Sequence, residues 1–325
     1  MVTKQIKFFN LKKIMNSGQI FRMYEPEDGR FAVYSGNRRL ELVQKGENTE
    51  FFCSPKEFEE YWEDYFDLKR DYGGIVQKAG DYAGTHSIGG AEFLKKACIY
   101  GADIRILKQD IWEMMISFII SQQKQIPSIR KCIEALCERF GEKHIVTCNT
   151  GKVESGEEVW YGFPDAKSIA AAGPDGLKGL SLGYRERYIY ETAVKYLKDG
   201  IPDEKLKGME SAEVKKYLLT FTGIGEKVAD CICLFGVGLA DSFPIDVHIK
   251  DILYREFVGD DKKKEVETLL RKKSGTAELS RKKVLECLSY QDYMKIINEN
   301  FSVFDGVRGI VQQWIFAYEL YSLRA

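Results

Sequence analysis

The chain has no CxxC pair and no grouping of cysteine and histidine at zinc spacing. Its eight cysteines (Cys53, Cys98, Cys132, Cys137, Cys148, Cys231, Cys233 and Cys287) are scattered. Neither a structural zinc nor a CxxC redox centre is therefore expected, and the thiols read as reduced. It also lacks the uninterrupted apolar run of roughly 20 residues that a bilayer crossing needs. No secretory leader is expected, because Thr3 to Asn10 already has the pattern of folded protein. Positive charge is not in excess: 48 Lys+Arg stand against 49 Asp+Glu, a net charge of -1. Attraction to a polyanion has to come from local patches and backbone amides. Internal repeats and low-complexity linkers are absent too. What is present is a 325-residue chain that is 44% hydrophobic, room for two or three domains of an intracellular protein without a membrane span.

Two kinds of pattern divide the chain. Up to residue 106, "QIKFFNL", "GQIFRMYE", "RFAVYSG" and "RRLELVQK" are short, rich in β-branched and aromatic residues, and separated by turn chemistry such as "PEDGR". They predict an antiparallel β-sheet in an α+β domain over residues 1–106. "SPKEFEEYWEDYFDL" adds a helix with a Ser54 cap and proline at its first position. Residues 107–325 read as helical almost throughout. "QDIWEMMISFIIS" opens with an Asp110/Glu113 capping box and is apolar nearly all round, as a central buried helix would be. "PSIRKCIEALCERFG" places Ile129, Cys132, Ile133 and Leu136 on one face and stops at Gly141. "DKKKEVETLLRKKSG" and "RKKVLECLSYQDYMKIINEN" read as helices with charged outer faces. A closing helix is expected over 306–323, packing back near the amino-terminal domain.

Chemistry concentrates in "FTGIGEKVADCICLFG", residues 221–236. A helix, a Gly223-x-Gly225 turn and a second helix form a hairpin. Both glycines are expected to take angles that side chains forbid, so that successive N–H groups and a helix start converge on one anion such as a DNA phosphate. Backbone carbonyls of residues 220–225 could hold a monovalent cation. A plain αα-hairpin in a helical bundle remains open. Lys227 sits in the first turn of the second helix, where the dipole disfavours a cation, and position i+4 is Cys231 rather than a carboxylate. Such a lysine is either a solvated side chain with its stem over the core or an amine kept available as a nucleophile. Nineteen residues on, "PIDVHI" makes Asp246 a helix cap and puts His248 in the first turn. A capping carboxylate held ionised can also stabilise an oxocarbenium-like sugar, and a histidine there can donate to a phosphate.

Gly-x-Gly-x-Lys-x-Ala-Asp followed by Ile-Asp-x-His resembles the helix-hairpin-helix DNA glycosylases, and "KVADCIC" with "PIDVHI" looks especially like the 8-oxoguanine DNA glycosylases. The resemblance extends over roughly residues 16–320. It implies a bifunctional enzyme on duplex DNA that excises 8-oxoguanine and then nicks the abasic strand, with Lys227 and Asp246 catalytic and with no cofactor. It also implies that the Gly18 carbonyl in "SGQIFR" receives the N7–H of the lesion. Gln312 and Phe316 in "GIVQQWIFAYEL" read and stack the extruded base, and Cys231 faces it from the other side. Tyr184 wedges into the duplex, Arg185 lies near the orphaned partner, and Gln123 fills the gap. Gly223, Gly225 and His248 hold the strand. Ser128 stands where animal and fungal relatives carry an arginine that reads the orphan cytosine, so weak selectivity for that partner is expected. An iron–sulfur cluster of the endonuclease III type is not expected, because only Cys287 follows Asp246. A monomer acting on genomic DNA suits the resemblance. The runs Lys262–Lys264 and Arg271–Lys273 either extend the DNA contact or form a solvated face.

Overall fold

A computed structural model describes residues 1–27, 29–85, 90–148, 156–274 and 281–321. The chain forms two compact units, each made of segments distant in sequence: 1–70 with 104–239, and 71–103 with 240–325. They differ from the single cut expected at 106/107, because a stretch of 33 residues (71–103) leaves the amino-terminal part and joins the carboxy-terminal helices.

The first unit opens with β1 (Val2–Gln5) and a short helix α1 (Leu11–Asn16). It continues with β2 (Met23–Glu27), β3 (Arg30–Ser35), β4 (Arg38–Lys45) and β5 (Asn48–Phe51). They form one antiparallel sheet in the order β1-β5-β4-β3-β2. The segment "QIKFFNL" (5–11), expected as a strand, shares only Gln5 with β1, and near its end the Asn10 side chain accepts the Lys13 N–H at 2.9 Å and starts a helix. β5 went unnoticed in the sequence. Phe31, Val33, Leu40, Leu42 and Phe51 are buried. Against Phe51 packs the helical run α2 (Pro55–Glu57), a π-turn (Phe58–Trp62) and α3 (Glu63–Tyr65), capped by Ser54 as expected.

In the second unit lie α4 (Tyr72–Thr85) and α5 (Ala91–Gly101). The first unit resumes with α6 (Ile111–Ser121), in which every residue from Ile111 to Ile120 is buried, and with α7 (Ile126–Phe140), stopped at Gly141. Asp110 caps α6 by accepting the Glu113 N–H at 2.8 Å. The capping box is not completed as expected: the buried Glu113 carboxylate accepts the Gly36 N–H at 2.8 Å instead, which ties the β3–β4 turn to the central helix. The expectation of helix over 107–325 also missed a hairpin, β6 (Lys143–Cys148) with β7 (Gly156–Tyr161), where "HIVT" and "EVWY" are runs of β-formers and His144 stacks on Trp160. Then follow α8 (Ala166–Gly176), α9 (Arg185–Asp199), α10 (Asp203–Lys207), α11 (Ser211–Leu218) and α12 (Glu226–Ile232), the last running into a π-turn (Cys233–Val237).

The second unit is completed by α13 (Val247–Ile252) with a π-turn (Leu253–Phe257), α14 (Asp260–Ser274), α15 (Arg281–Glu286), α16 (Tyr290–Phe301) and α17 (Arg308–Tyr321). The single helix expected over 281–300 is two, because Ser289 and Asp292 form a reciprocal capping box that starts α16. The closing helix begins at Arg308 and packs on α5, with Trp314 so close to Gly101 that a Cβ there would lie 2.4 Å away. Residues 322–323 of its expected span, Gly275 at the end of "DKKKEVETLLRKKSG" and the side chains of Lys272 and Lys273 lie outside the described residues. Among the described residues no helix is long and apolar enough to cross a membrane.

Burial pushes the Glu113 carboxyl up to about 7, against the opposing pull of Arg22 and the Gly36 N–H. Its folded value exceeds that of the unfolded chain, so the stability it contributes is present below about pH 4.5 and is lost as pH rises through about 7. Glu113→Gln keeps an acceptor for Gly36 but cannot ionise. Urea denaturation across pH 4 to 8 is expected to show the variant gaining about 2–3 kcal/mol on the native protein over that interval.

Candidate active site

The residues singled out in the sequence divide between the units. Gly18, Gln123, Tyr184, Arg185, Gly223, Gly225, Lys227 and Cys231 belong to the first, and Asp246, His248, Gln312 and Phe316 to the second.

In the first unit α11 and α12 flank the glycine turn. Gly223 has φ +83°, and a Cβ on it would meet the Tyr188 ring at 2.5 Å, so conformation and space both demand glycine. Gly225 departs from expectation. At φ −94° and ψ −178° it has the ordinary extended geometry of an N-cap, with nothing within 4 Å of an added Cβ. Lys215 on α11 braces the hairpin by ion pairs to Glu226 at 2.9 Å and to the buried Asp230 at 2.8 Å. That brace was not read from the motif, although Asp230 is part of it. Carbonyls of Phe221, Thr222 and Gly223 accept from the Ile224 N–H, the Thr192 hydroxyl and the Gln122 amide.

Lys227 is half-buried, and its Nζ lies 5.2 Å from the centre of the Phe118 ring on α6. Among the described residues its ammonium has neither an ion pair nor a hydrogen bond. An aromatic face seats the head without a salt bridge that bond formation would have to break. Cys231 is buried one turn further on. Phe118 also stacks on Phe235 and meets Phe21 edge-on, both at 5.6 Å, so the lysine's seat is continuous with the Gly18 segment. Gly18 follows the C-cap of α1 at φ +83°, at a helix end rather than in the strand expected over "GQIFRMYE". Its neighbour Gln19 is fully buried: the amide donates to the Arg105 carbonyl at 3.0 Å and accepts the Leu107 N–H at 2.8 Å. Gln109, two residues on, donates its N–H to the Phe235 carbonyl at 2.7 Å, joining this segment to the end of the lysine helix. Nothing in the local pattern announced Gln19 or Phe118.

Tyr184 is 49% exposed at the start of α9 and lies edge-on to Tyr188. Arg185 is not presented outward. It is buried, stacks on the Tyr184 ring at 4.4 Å, and donates to the carbonyls of Leu182 and Gln122. Its guanidinium serves the protein's own loops. Gln123 is exposed just after α6, and Ser128 is exposed in the first turn of α7.

In the second unit Asp246 caps α13, its Oδ1 accepting the Ile249 N–H at 2.8 Å, as expected. His248, in the first turn, lies edge-on to Phe316 with ring centres 6.1 Å apart. Gln312, one turn before Phe316 on α17, is 3% exposed, and its Oε1 has no hydrogen-bond donor among the described residues. α17 is anchored at its start by Arg308, which pairs with Asp241, and near its end by Glu319, which takes two bonds from Arg255 at 3.1 and 2.8 Å. Burial alone would raise the Asp241 carboxyl, but Arg308 and the backbone N–H groups of Gly306 and Arg308 hold it below the usual range.

Residues 1–115 match the family model described as the N-terminal domain of 8-oxoguanine DNA glycosylase, and residues 116–275 match that of the HhH-GPD superfamily of base excision DNA repair proteins. The N-glycosylase/DNA lyase of Saccharomyces cerevisiae is 32% identical over 192 residues, 56% of this chain and 49% of the yeast protein. The chain thus spans about half the length of that curated relative. Among solved structures, the 8-oxoguanine glycosylase/lyase of Clostridium acetobutylicum, in complex with DNA containing cytosine opposite 8-oxoguanine, superposes with a TM-score of 0.75 at 27% identity, covering 99% of both chains. MBOgg1, bound to a low-affinity DNA ligand, gives a TM-score of 0.70 at 30% identity, covering 96% of this chain and 92% of that one.

The two hairpin glycines are expected to respond differently to alanine. Gly223→Ala should cost about 2–3 kcal/mol in urea denaturation, from left-handed strain together with overlap on Tyr188. Gly225→Ala should stay within about 0.5 kcal/mol of the native protein in the same measurement.

Proposed function

Because the chain belongs to the 8-oxoguanine DNA glycosylases of the HhH-GPD superfamily, we propose that it is a bifunctional glycosylase and abasic-site lyase acting on 8-oxoguanine in duplex DNA. The observation that carries the proposal is Lys227: a lysine at the exit of a glycine hairpin, seated on an aromatic face and without an ion pair among the described residues. In its neutral form the amine attacks C1′ of the extruded nucleotide. The N–C1′ bond forms as the bond to the base breaks, and the departing base takes up a proton. Asp246, its Oδ1 fixed by the cap bond from the Ile249 N–H, stabilises the positive charge developing on the sugar. Ring opening leaves a Schiff base; loss of a C2′ proton then expels the 3′ phosphate and nicks the strand.

The lesion's N7–H donates to the carbonyl of Gly18, a donor that unmodified guanine does not have. The unpartnered Gln312 Oε1 supports a role in reading the purine edge, because a buried acceptor without a donor costs about 1–3 kcal/mol until a ligand supplies one. Phe316 and Cys231 enclose the base. Gly223, Gly225 and His248 hold the strand, Tyr184 enters the kink, and Gln123 fills the vacated stack. Backbone carbonyls at 220–225 keep lone pairs beyond the bonds described and belong to the same proposal as a seat for a monovalent cation. The enzyme works as a monomer on genomic DNA inside the cell. Selectivity for cytosine opposite the lesion is weak: Ser128 is too short to reach it, and the Arg185 guanidinium is engaged by backbone carbonyls.

Incubation with an 8-oxoguanine:C duplex and sodium borohydride is expected to give a covalent adduct that Lys227→Gln abolishes while duplex binding persists. Binding without any adduct would leave a DNA-binding module or a monofunctional enzyme. Asp246→Asn should slow excision on the order of a hundredfold or more yet leave stability within about 0.5 kcal/mol, because asparagine caps as well as aspartate. Single-turnover rates opposite C, A and G should lie within about tenfold of one another, roughly 1.4 kcal/mol. A preference for C by several orders of magnitude would contradict the assignment of Ser128 and Arg185.

A further inference from the structure

The turn between α6 and α7 holds its exposed residue in a conformation that its own side chain disfavours. Gln123 has φ +52°. Gln122 before it has φ −58° and ψ 125°, and the Lys124 N–H closes on the Ser121 carbonyl at 3.3 Å. This is the pattern of a type II turn, whose third position ordinarily takes glycine. A glutamine there costs on the order of 1–2 kcal/mol and persists only when surrounding contacts over-determine it.

Those contacts are present, and they converge on Gln122. Its side-chain amide donates to the Gly223 carbonyl at 2.8 Å, 101 positions away in the chain. Its backbone carbonyl, part of the peptide unit that enters Gln123, accepts from Arg185. On the far side Lys124 Nζ donates to the carbonyl of Ser181 at 2.9 Å, and Ser181 is itself left-handed at φ +56°. The gap-filling turn, the loop leading to the wedge Tyr184 and the glycine hairpin are thereby cross-tied by side chain-to-backbone bonds. Gly223 is held a second time, by the close approach of Tyr188, whose ring contacts Tyr184. A type II turn with glutamine in the glycine position is set before DNA arrives, with that glutamine's side chain in solvent.

We infer that Gln122 is a positioning residue for base extrusion: by tying the turn to the Gly223 carbonyl it fixes Gln123 in the left-handed conformation that inserts into the vacated stack. The inference rests on the glycosylase reading above and adds to it a residue that touches neither the base nor the reacting atoms. It also gives Arg185 a different part from orphan-base reading, namely the second tie on the same peptide.

The test is a double-mutant cycle on single-turnover excision from an 8-oxoguanine:C duplex, with a neighbouring 2-aminopurine reporting unstacking. Gln122→Met keeps the length of the side chain and removes the donor. In the native background it should slow excision about five- to tenfold, the worth of one hydrogen bond, and reduce the 2-aminopurine signal in step. In a Gln123→Ala background the same change should alter the rate less than twofold, since the residue it positions is already gone. Equal slowing in both backgrounds would mark a general structural loss and overturn the inference, as would an unchanged rate in the native background. A native protein that excises nothing would overturn the glycosylase reading itself, and the inference with it.

Discussion

An amine that is to bond to carbon has to be held in place without being engaged by a carboxylate. In its proposed role Lys227 meets that constraint through hydrocarbon and an aromatic face, and the Phe118 ring that seats it is held within the first unit. Phe118 can serve because α6 is buried on every side, so its ring is fixed by Phe235 stacked on it and by Phe21 against its edge. Carboxylates near the hairpin are occupied elsewhere: Glu226 and Asp230 both pair with Lys215, and Asp230 is turned into the protein. The brace that stiffens the two helices also keeps two negative charges engaged on the α11 side of the hairpin.

A second theme is the way irregular backbone is secured. Loops carry carbonyls that no helix or sheet satisfies, and here long polar side chains reach in to bond them. Arg105 donates to the carbonyls of Lys7, Phe8, Asp67 and Arg70. Gln19 secures the Gly18 segment, and Arg185, Gln122 and Lys124 secure the turns that flank the hairpin. Such bonds permit left-handed residues that carry side chains, at Gln123 and Ser181, in segments proposed to meet DNA. Rigidity in these loops matters because a probe that must be ordered on binding loses affinity to the entropy of ordering.

Much of the architecture was legible in the residues because its causes are local. Asp246, Asp110 and Ser54 cap the helices that follow them, and each cap bond closes within three residues. The buried α6 shows as an apolar run without a polar face, and the first sheet as short alternating segments between turns. Where local signals compete, reading fails: Asn10 starts a helix inside an apparent strand, Ser289 splits an apparent single helix, and "HIVT" and "EVWY" pair as a hairpin in a region read as helical.

The chain's own pattern was sufficient for the family resemblance, the hairpin, the lysine at its exit and the capping aspartate, since motif spacing and caps are properties of adjacent residues. Tertiary structure alone decided that residues 71–103 join the carboxy-terminal helices, that Arg185 points inward, that Gly225 needs no special backbone while Gly223 does, and that Gln122 reaches Gly223. The physical reason is common to all four. Each depends on which distant backbone or ring comes within a few ångströms, and burial and hydrogen-bond geometry select that neighbour only once the whole unit has packed.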